Sequence, residues 1–206
     1  VRIVLAEQGL GYEADVLNAV RSIEEIRPLN PNLTIPVLLD GAEALFETNL
    51  IIDYLLATYP VPTLGAGPPM ASFLSRPGQR WEDAKTLATL ESMGDSIVNL
   101  ALMKMMDGVD SGQYAYLQRQ TRRIGAQLDW LEGRVTAESF IPGYFSIQDI
   151  SLIRHTGFAD ISGVVDWRGR PGLDPLVARN ATRPSVRDTA RPANPPQRMA
   201  FTVPGA

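Results

Sequence analysis

The sequence predicts an α/β N-terminal half followed by an all-helical C-terminal half, and three observations carry that prediction. Residues 1–60 mix short strand-like runs with helical periodicity. Residues 61–78 are dense in proline and glycine. From residue 79 to residue 191, apolar side chains recur at helical spacing.

In the first half, Val1, Val4 and Leu5 share one helical face, and Gly9 is placed to cap that helix. Tyr12 to Leu17 alternates as a strand does, and Ser22 to Arg27 reads as a short helical turn or loop ending at Pro28. Thr34 to Leu39 reads as a strand interrupted by Pro36. Asp40-Gly41 is a hairpin turn signal, and Ala44-Leu45-Phe46 supplies the returning strand. A helix then opens at Glu47-Thr48 and buries Leu50, Ile51, Tyr54 and Leu55. The order α–β–α–β–β–α is the thioredoxin-like half-pattern with its first strand absent, so this domain is expected to be incomplete.

Beyond the linker, Trp81, Ala84, Leu87, Leu90, Ile97 and Ala101 mark a long helix over 80–106. A second runs from about Gln113 to Val135 on Leu117, Ile124, Leu128 and Leu131, with Arg119, Arg122, Arg123 and Arg134 on its solvated face. Ser146-x-x-Asp149 is a capping box, flanked by Phe145 and Ile150 as a hydrophobic staple. Asp149 is therefore read as a buried cap and not as a catalytic acid. Met93, Met103, Met105 and Met106 are read as core filling before pocket lining. Arg179, Arg183, Arg187 and Arg191 recur every four residues and read as a solvated end. Residues 192–206 are proline-rich and aperiodic, and are expected to be disordered or loosely docked.

Composition bounds the function. A chain of 206 residues with net charge −4 argues against a nucleic-acid surface. Without cysteine there is no disulfide, no thiolate nucleophile and no cysteine metal site, and no metal is expected. No apolar run reaches the roughly 18–20 residues of a membrane span, and residues 1–10 do not read as a signal peptide. A cytoplasmic protein is the expectation. Asn32-Leu33-Thr34 matches a glycosylation sequon, which has no meaning without secretion. His155, the lone histidine, is placed after the helix that Ser146 opens, without a partner to make it a base or a ligand.

The chemistry lies around Pro36 and Glu47. A proline inside a strand removes a ladder donor, and one reason to tolerate it is a cis bond that turns the preceding backbone toward a ligand. The first-turn N–H groups of the following helix, with the Thr48 hydroxyl, suit a carboxylate, and Glu47 suits an ammonium group. Together they form a cradle for a small peptide.

N-P-x-x-T-I-P-V-L, the D-G turn and F-E-T-N-L-I-I-D-Y-L resemble the glutathione-binding half of the cytosolic glutathione transferases. The S-x-x-D box and DWRGRPGLDPLVARNATRPSVRDT resemble that family's helical half, so the likeness runs over most of residues 1–192. The resemblance implies that Ile35 pairs its backbone with the cysteinyl part of glutathione, with Pro36 in cis, and that Glu47 and Thr48 hold the γ-glutamyl end. It also implies a homodimer, and glutathione as co-substrate. Two positions depart from the pattern. Leu33 stands where a side chain for the glycyl carboxylate is often found, and Leu50 replaces an alanine.

The family's sulfur-activating Ser, Tyr or Cys precedes the first helix, so no catalytic residue is assigned in this chain and one is expected upstream of Val1. A free thiol with a pKa of about 8.5 needs such a donor to become the nucleophile at neutral pH. Two functions follow. One is a glutathione transferase directing the thiolate at an apolar electrophile, with glutathione-dependent isomerisation or dehalogenation as variants of the same chemistry. The other is a non-catalytic interaction or regulatory module built on the same body.

Overall fold

The computed structural model describes residues 1–18, 21–59, 78–136, 138–190 and 198–201. The chain forms two compact units, Val1–Ala66 with Arg183–Ala206, and Gly67–Thr182. The expected linker falls almost wholly on residues 60–77, outside the described residues.

The first unit follows the predicted order: α1 (Arg2–Glu7), β1 (Tyr12–Asp15), α2 (Ile23–Ile26), β2 (Val37–Asp40), β3 (Glu43–Phe46) and α3 (Thr48–Thr58). Strand β2 begins after Pro36, so the proline deprives no ladder of a donor. Asp40 pairs with Glu43 and Val37 with Phe46, which makes β2–β3 a hairpin closed at the Asp40-Gly41 turn. Val4, Leu5, Ile26, Ile51 and Leu55 are buried in this unit. The Gln8 amide joins α1 to α3 by donating to the carbonyls of Leu55 (2.7 Å) and Tyr59 (3.3 Å). Gly9, at φ 68°, follows the capping residue Gln8 and takes the left-handed position that usually ends a helix.

The last helical turn, α8 (Pro184–Arg187), groups with the first unit, although the helical half was expected to run to residue 191, and a strand, β4 (Arg198–Phe201), groups there too. Two expectations about this C-terminal stretch are overturned. Strand β4 pairs antiparallel with β1, Tyr12 opposite Phe201 and Asp15 opposite Arg198, where the sequence suggested disorder. Arg183 is not part of a solvated end either. Its guanidinium is buried and forks onto the equally buried Glu7 carboxylate, Nε to Oε1 at 2.7 Å and Nη2 to Oε2 at 2.6 Å. Both errors have one physical cause: the partners lie more than 170 residues away, where no local pattern reports them.

The second unit holds α4 (Arg80–Asp107), α5 (Ala115–Glu132), α6 (Ile147–Ser162) and α7 (Leu173–Asn180). Leu90, Ile97, Leu128, Leu152, Trp167 and Leu173 are among the side chains of its core. Helices α4 and α6 end at Gly108 (φ 65°) and Gly163 (φ 61°), where glycine escapes the Cβ clash of the left-handed region. The capping box is complete. Ser146 Oγ accepts from the Asp149 N–H at 3.2 Å, and Asp149 Oδ2 accepts from the Ser146 N–H at 2.7 Å. The second Asp149 oxygen accepts from the Phe140 N–H, so the cap also pins the loop that leads into α6.

His155 lies inside α6 and not after it, as the sequence reading had it. Its ring is buried against Gly94 of α4, with Nε2 3.5 Å from Glu91 Oε1, and Ser151 Oγ donates to the same oxygen at 2.5 Å. The methionines divide: Met93 is buried in the core, Met103 packs half-buried against it, and Met105 and Met106 are exposed.

Candidate functional site

The candidate site is built on two loops of the first unit, the one that enters β2 and the one that leaves β3. Asn30, fully buried, organises the first. Its Nδ2 donates to the Thr34 carbonyl (2.9 Å) and hydroxyl (3.0 Å), and its Oδ1 accepts from the Asn32 N–H (2.9 Å). This clamp folds residues 30–34 into a tight turn that carries Leu33 at φ 56°. The turn delivers Ile35 and Pro36 to the head of β2. Their peptide bond is cis, and Ile35 is 47% exposed.

The second loop is held from below. Asp40, at the far end of the hairpin, accepts from the hydroxyls of Tyr54 (2.9 Å) and Tyr59, tying the end of β2 to α3. The Tyr59 hydrogen bond, followed by that of Tyr54, holds the Asp40 carboxyl below its ordinary range, and the same contact pushes the Tyr59 phenol up to about 12. Strand β3 then meets α3 at Glu47, the N-cap residue, whose backbone sits at φ 67°, ψ 122°. Leu33 and Glu47 are the two non-glycine residues with positive φ among the described residues, and both stand in these loops.

The hairpin register brings the loops together. Val37 lies opposite Phe46, so Pro36 and Glu47 are the next positions outward on the two strands. A side-chain bond closes the pair: Asn32 Nδ2 donates to Glu47 Oε1 at 2.7 Å. The first helical hydrogen bond of α3 runs from the Ile51 N–H to the Glu47 carbonyl at 3.0 Å. The N–H groups of Thr48, Asn49 and Leu50 therefore have no acceptor within the helix, and no side chain caps them. Three donors at the positive end of a helix suit a carboxylate. The exposed Glu47 carboxylate beside them suits an ammonium group, and Ile35 stands half-exposed just before β2.

All four residues singled out from sequence, Ile35, Pro36, Glu47 and Thr48, thus stand on adjoining segments. Sequence reasoning missed Asn30 and Asn32, which hold the segments in place. The signal for Asn30 is the spacing N-P-x-x-T, an amide four residues before the hydroxyl it binds. In the sequence Asn32 reads only as part of a sequon, and nothing local points to Glu47 fifteen residues on. Among the described residues no group of three or more metal-ligating side chains occurs, and no helix is long and apolar enough to cross a membrane.

Comparison with known proteins bears on the same segment. Residues 1–68 match the family description "Glutathione S-transferase, N-terminal domain". A stringent starvation protein A homolog of Pasteurella multocida is 41% identical over 76 residues, covering 37% of this chain and 36% of that protein. A maleylacetoacetate isomerase of Pseudomonas aeruginosa is 38% identical over 76 residues, covering 34% of this chain and 36% of that protein. The chain thus spans about a third of the length of the curated relatives it matches. In three dimensions it is similar to a glutathione S-transferase of Methylobacterium radiotolerans in complex with glutathione sulfonate. That likeness has a TM-score of 0.76 at 26% identity and covers 95% of this chain and 91% of that one.

Proposed function

The chain belongs to the glutathione transferase-fold superfamily, and from that premise we propose that it is a non-catalytic interaction or regulatory module that retains a glutathione-binding cradle. The observation that carries the cradle is the pairing of two left-handed non-glycine residues, Leu33 and Glu47, in the loops around the α3 N-terminus. Backbone of that kind persists only where the surroundings over-determine it, and it concentrates at ligand clamps. Ile35 would pair its backbone with the cysteinyl residue, while Glu47 and the N–H groups from Thr48 onward would hold the γ-glutamyl end.

Conjugation would need, besides the cradle, a donor aimed at the thiolate. Five curated relatives, 39–42% identical over this segment, carry a stringent-starvation name and not an enzyme's, which supports a module over a conjugating enzyme. The second reading is conjugation of the glutathione thiolate to an apolar electrophile. It is favoured by the relative of known structure that is named a transferase and holds glutathione sulfonate.

Calorimetric titration with glutathione, alongside a conjugation assay with an aryl halide, separates the two. The module reading expects saturable binding and no conjugation above the uncatalysed rate. Glu47→Ala should raise the glutathione Kd about ten- to hundredfold, as loss of one charge-assisted contact does. An unchanged Kd in that variant overturns the cradle, and conjugation by the wild type overturns the module.

A further inference from the structure

The first turns of α5 carry a charge pattern that the fold does not use. From Ser111 to Leu128 the sequence contains Arg119, Arg122 and Arg123 and no acidic residue, in a chain of net charge −4. The helix buries Leu117, Gln120, Ile124 and Leu128, and the three arginines stand exposed on its other side. Arg119 is three residues from Arg122 and four from Arg123, spacings at which like charges on a helix repel. Other arginines of the same unit are neutralised locally: Arg134 by Glu82, Arg168 by Asp160 and Asp174, and Arg170 by Asp129. The side chains of Arg119 and Arg122 have no ion pair or hydrogen bond among the described residues, and the Arg123 side chain donates only to the Ser92 hydroxyl. Tyr116, one turn before Arg119, is 55% exposed.

We infer that this face of α5 docks an acidic protein segment whose carboxylates, one helical turn apart, seat on Arg119 and Arg122, with Tyr116 packing against its aliphatic stems. Guanidinium groups bind carboxylates through two parallel hydrogen bonds, and two arginines at this spacing match two acids at the same spacing on a partner helix. The face favours a short acidic segment over a nucleic acid. Its cations span only five residues, about 6 Å of helix, while the remainder of the chain is net negative and repels an extended phosphate track. This site is separate from the peptide cradle, and it names a partner class for the interaction-module reading. Its test does not involve glutathione, so either idea can fail while the other stands.

The test is fluorescence anisotropy on the full chain with a labelled helical peptide of Glu-Ala-Ala-Glu repeats at low salt. Binding is expected, weakening as salt is raised. Arg119→Ala/Arg122→Ala should weaken it about tenfold, the effect of two partly exposed ion pairs. Arg27→Ala/Arg187→Ala removes the same charge elsewhere and should leave binding unchanged, with circular dichroism confirming that both variants keep their helices. Equal loss in the two double variants overturns the inference, because bulk charge would then explain the binding. So does tighter binding of a single-stranded RNA of matched charge, or a monomer–dimer shift in Arg119→Ala/Arg122→Ala that reveals a second copy as the occupant. Absence of peptide binding to the wild type overturns it outright.

Discussion

Breaking the Glu7–Arg183 pair is expected to be among the most damaging single changes to the first unit. The two side chains are only 2% and 5% exposed, and two hydrogen bonds of 2.6 and 2.7 Å join them. Arg183→Met removes the guanidinium and leaves a buried carboxylate without its partner. A buried pair broken from one side costs about 3–5 kcal/mol, whereas replacing both members by apolar groups is often neutral or better. With a urea m-value of about 2 kcal/mol/M, the unfolding midpoint should fall by roughly 2 M in Arg183→Met. Most of that should return in Glu7→Leu/Arg183→Met. Far-UV circular dichroism is the suitable probe, since Trp81, Trp130 and Trp167 all lie in the other unit. A loss below about 1 kcal/mol in the single variant would match a solvated surface pair and refute the desolvation argument.

Two further outcomes follow from the helical unit. Burial pushes the Asp149 carboxyl up from 3.8 to about 6, against the Phe140 and Ser146 donors that pull it down. An acid with a raised folded value binds more protons folded than unfolded between those limits. Its contribution therefore grows as pH falls from about 6 toward 4, by about 3 kcal/mol. The stability difference between wild type and Asp149→Asn should widen by that order between pH 7 and pH 4, and a pH-independent difference in urea titrations would contradict it. At Gly94, an added Cβ would lie 1.8 Å from the His155 ring, so Gly94→Ala should destabilise by about 1–3 kcal/mol despite its better helix propensity. Thermal melts should show recovery in Gly94→Ala/His155→Ala, and a single variant as stable as wild type would mean that the ring moves freely.

The division between what the sequence showed and what it hid follows the range of each interaction. Periodicity and turn chemistry are local, and they placed α1 to α6, the β2–β3 hairpin and the capping box near their observed positions. Element ends were less legible: the strand read over Thr34–Leu39 runs over Val37–Asp40, because the turn clamped by Asn30 claims the residues before it. Strand β4 was invisible, since a short proline-flanked run acquires its partner only across the whole chain. The arginines at 179, 183 and 187 share one spacing and meet three fates: a backbone carbonyl of Glu138, the buried Glu7, and the adjacent Asp188. Spacing alone cannot distinguish a solvated cation from one whose counter-ion arrives from the opposite terminus.

The candidate site divides in the same way, and the hidden part explains why the visible part would work. The motif residues supply donors and an acceptor, but on mobile loops such groups would lose affinity to the entropy of ordering them. Two residues in the left-handed region each cost about 1–3 kcal/mol, a cost that the surrounding bonds must offset. Asn30 meets it at Leu33, with its buried amide engaged by Thr34 and Asn32. Asn32 meets it at Glu47 by holding the carboxylate, while the Ile51 N–H fixes the Glu47 carbonyl. The two asparagines are therefore positioning residues: Asn30 shapes the turn before Ile35, and Asn32 engages one oxygen of Glu47. Their role follows from the strain at Leu33 and Glu47, which becomes apparent only once the backbone is known.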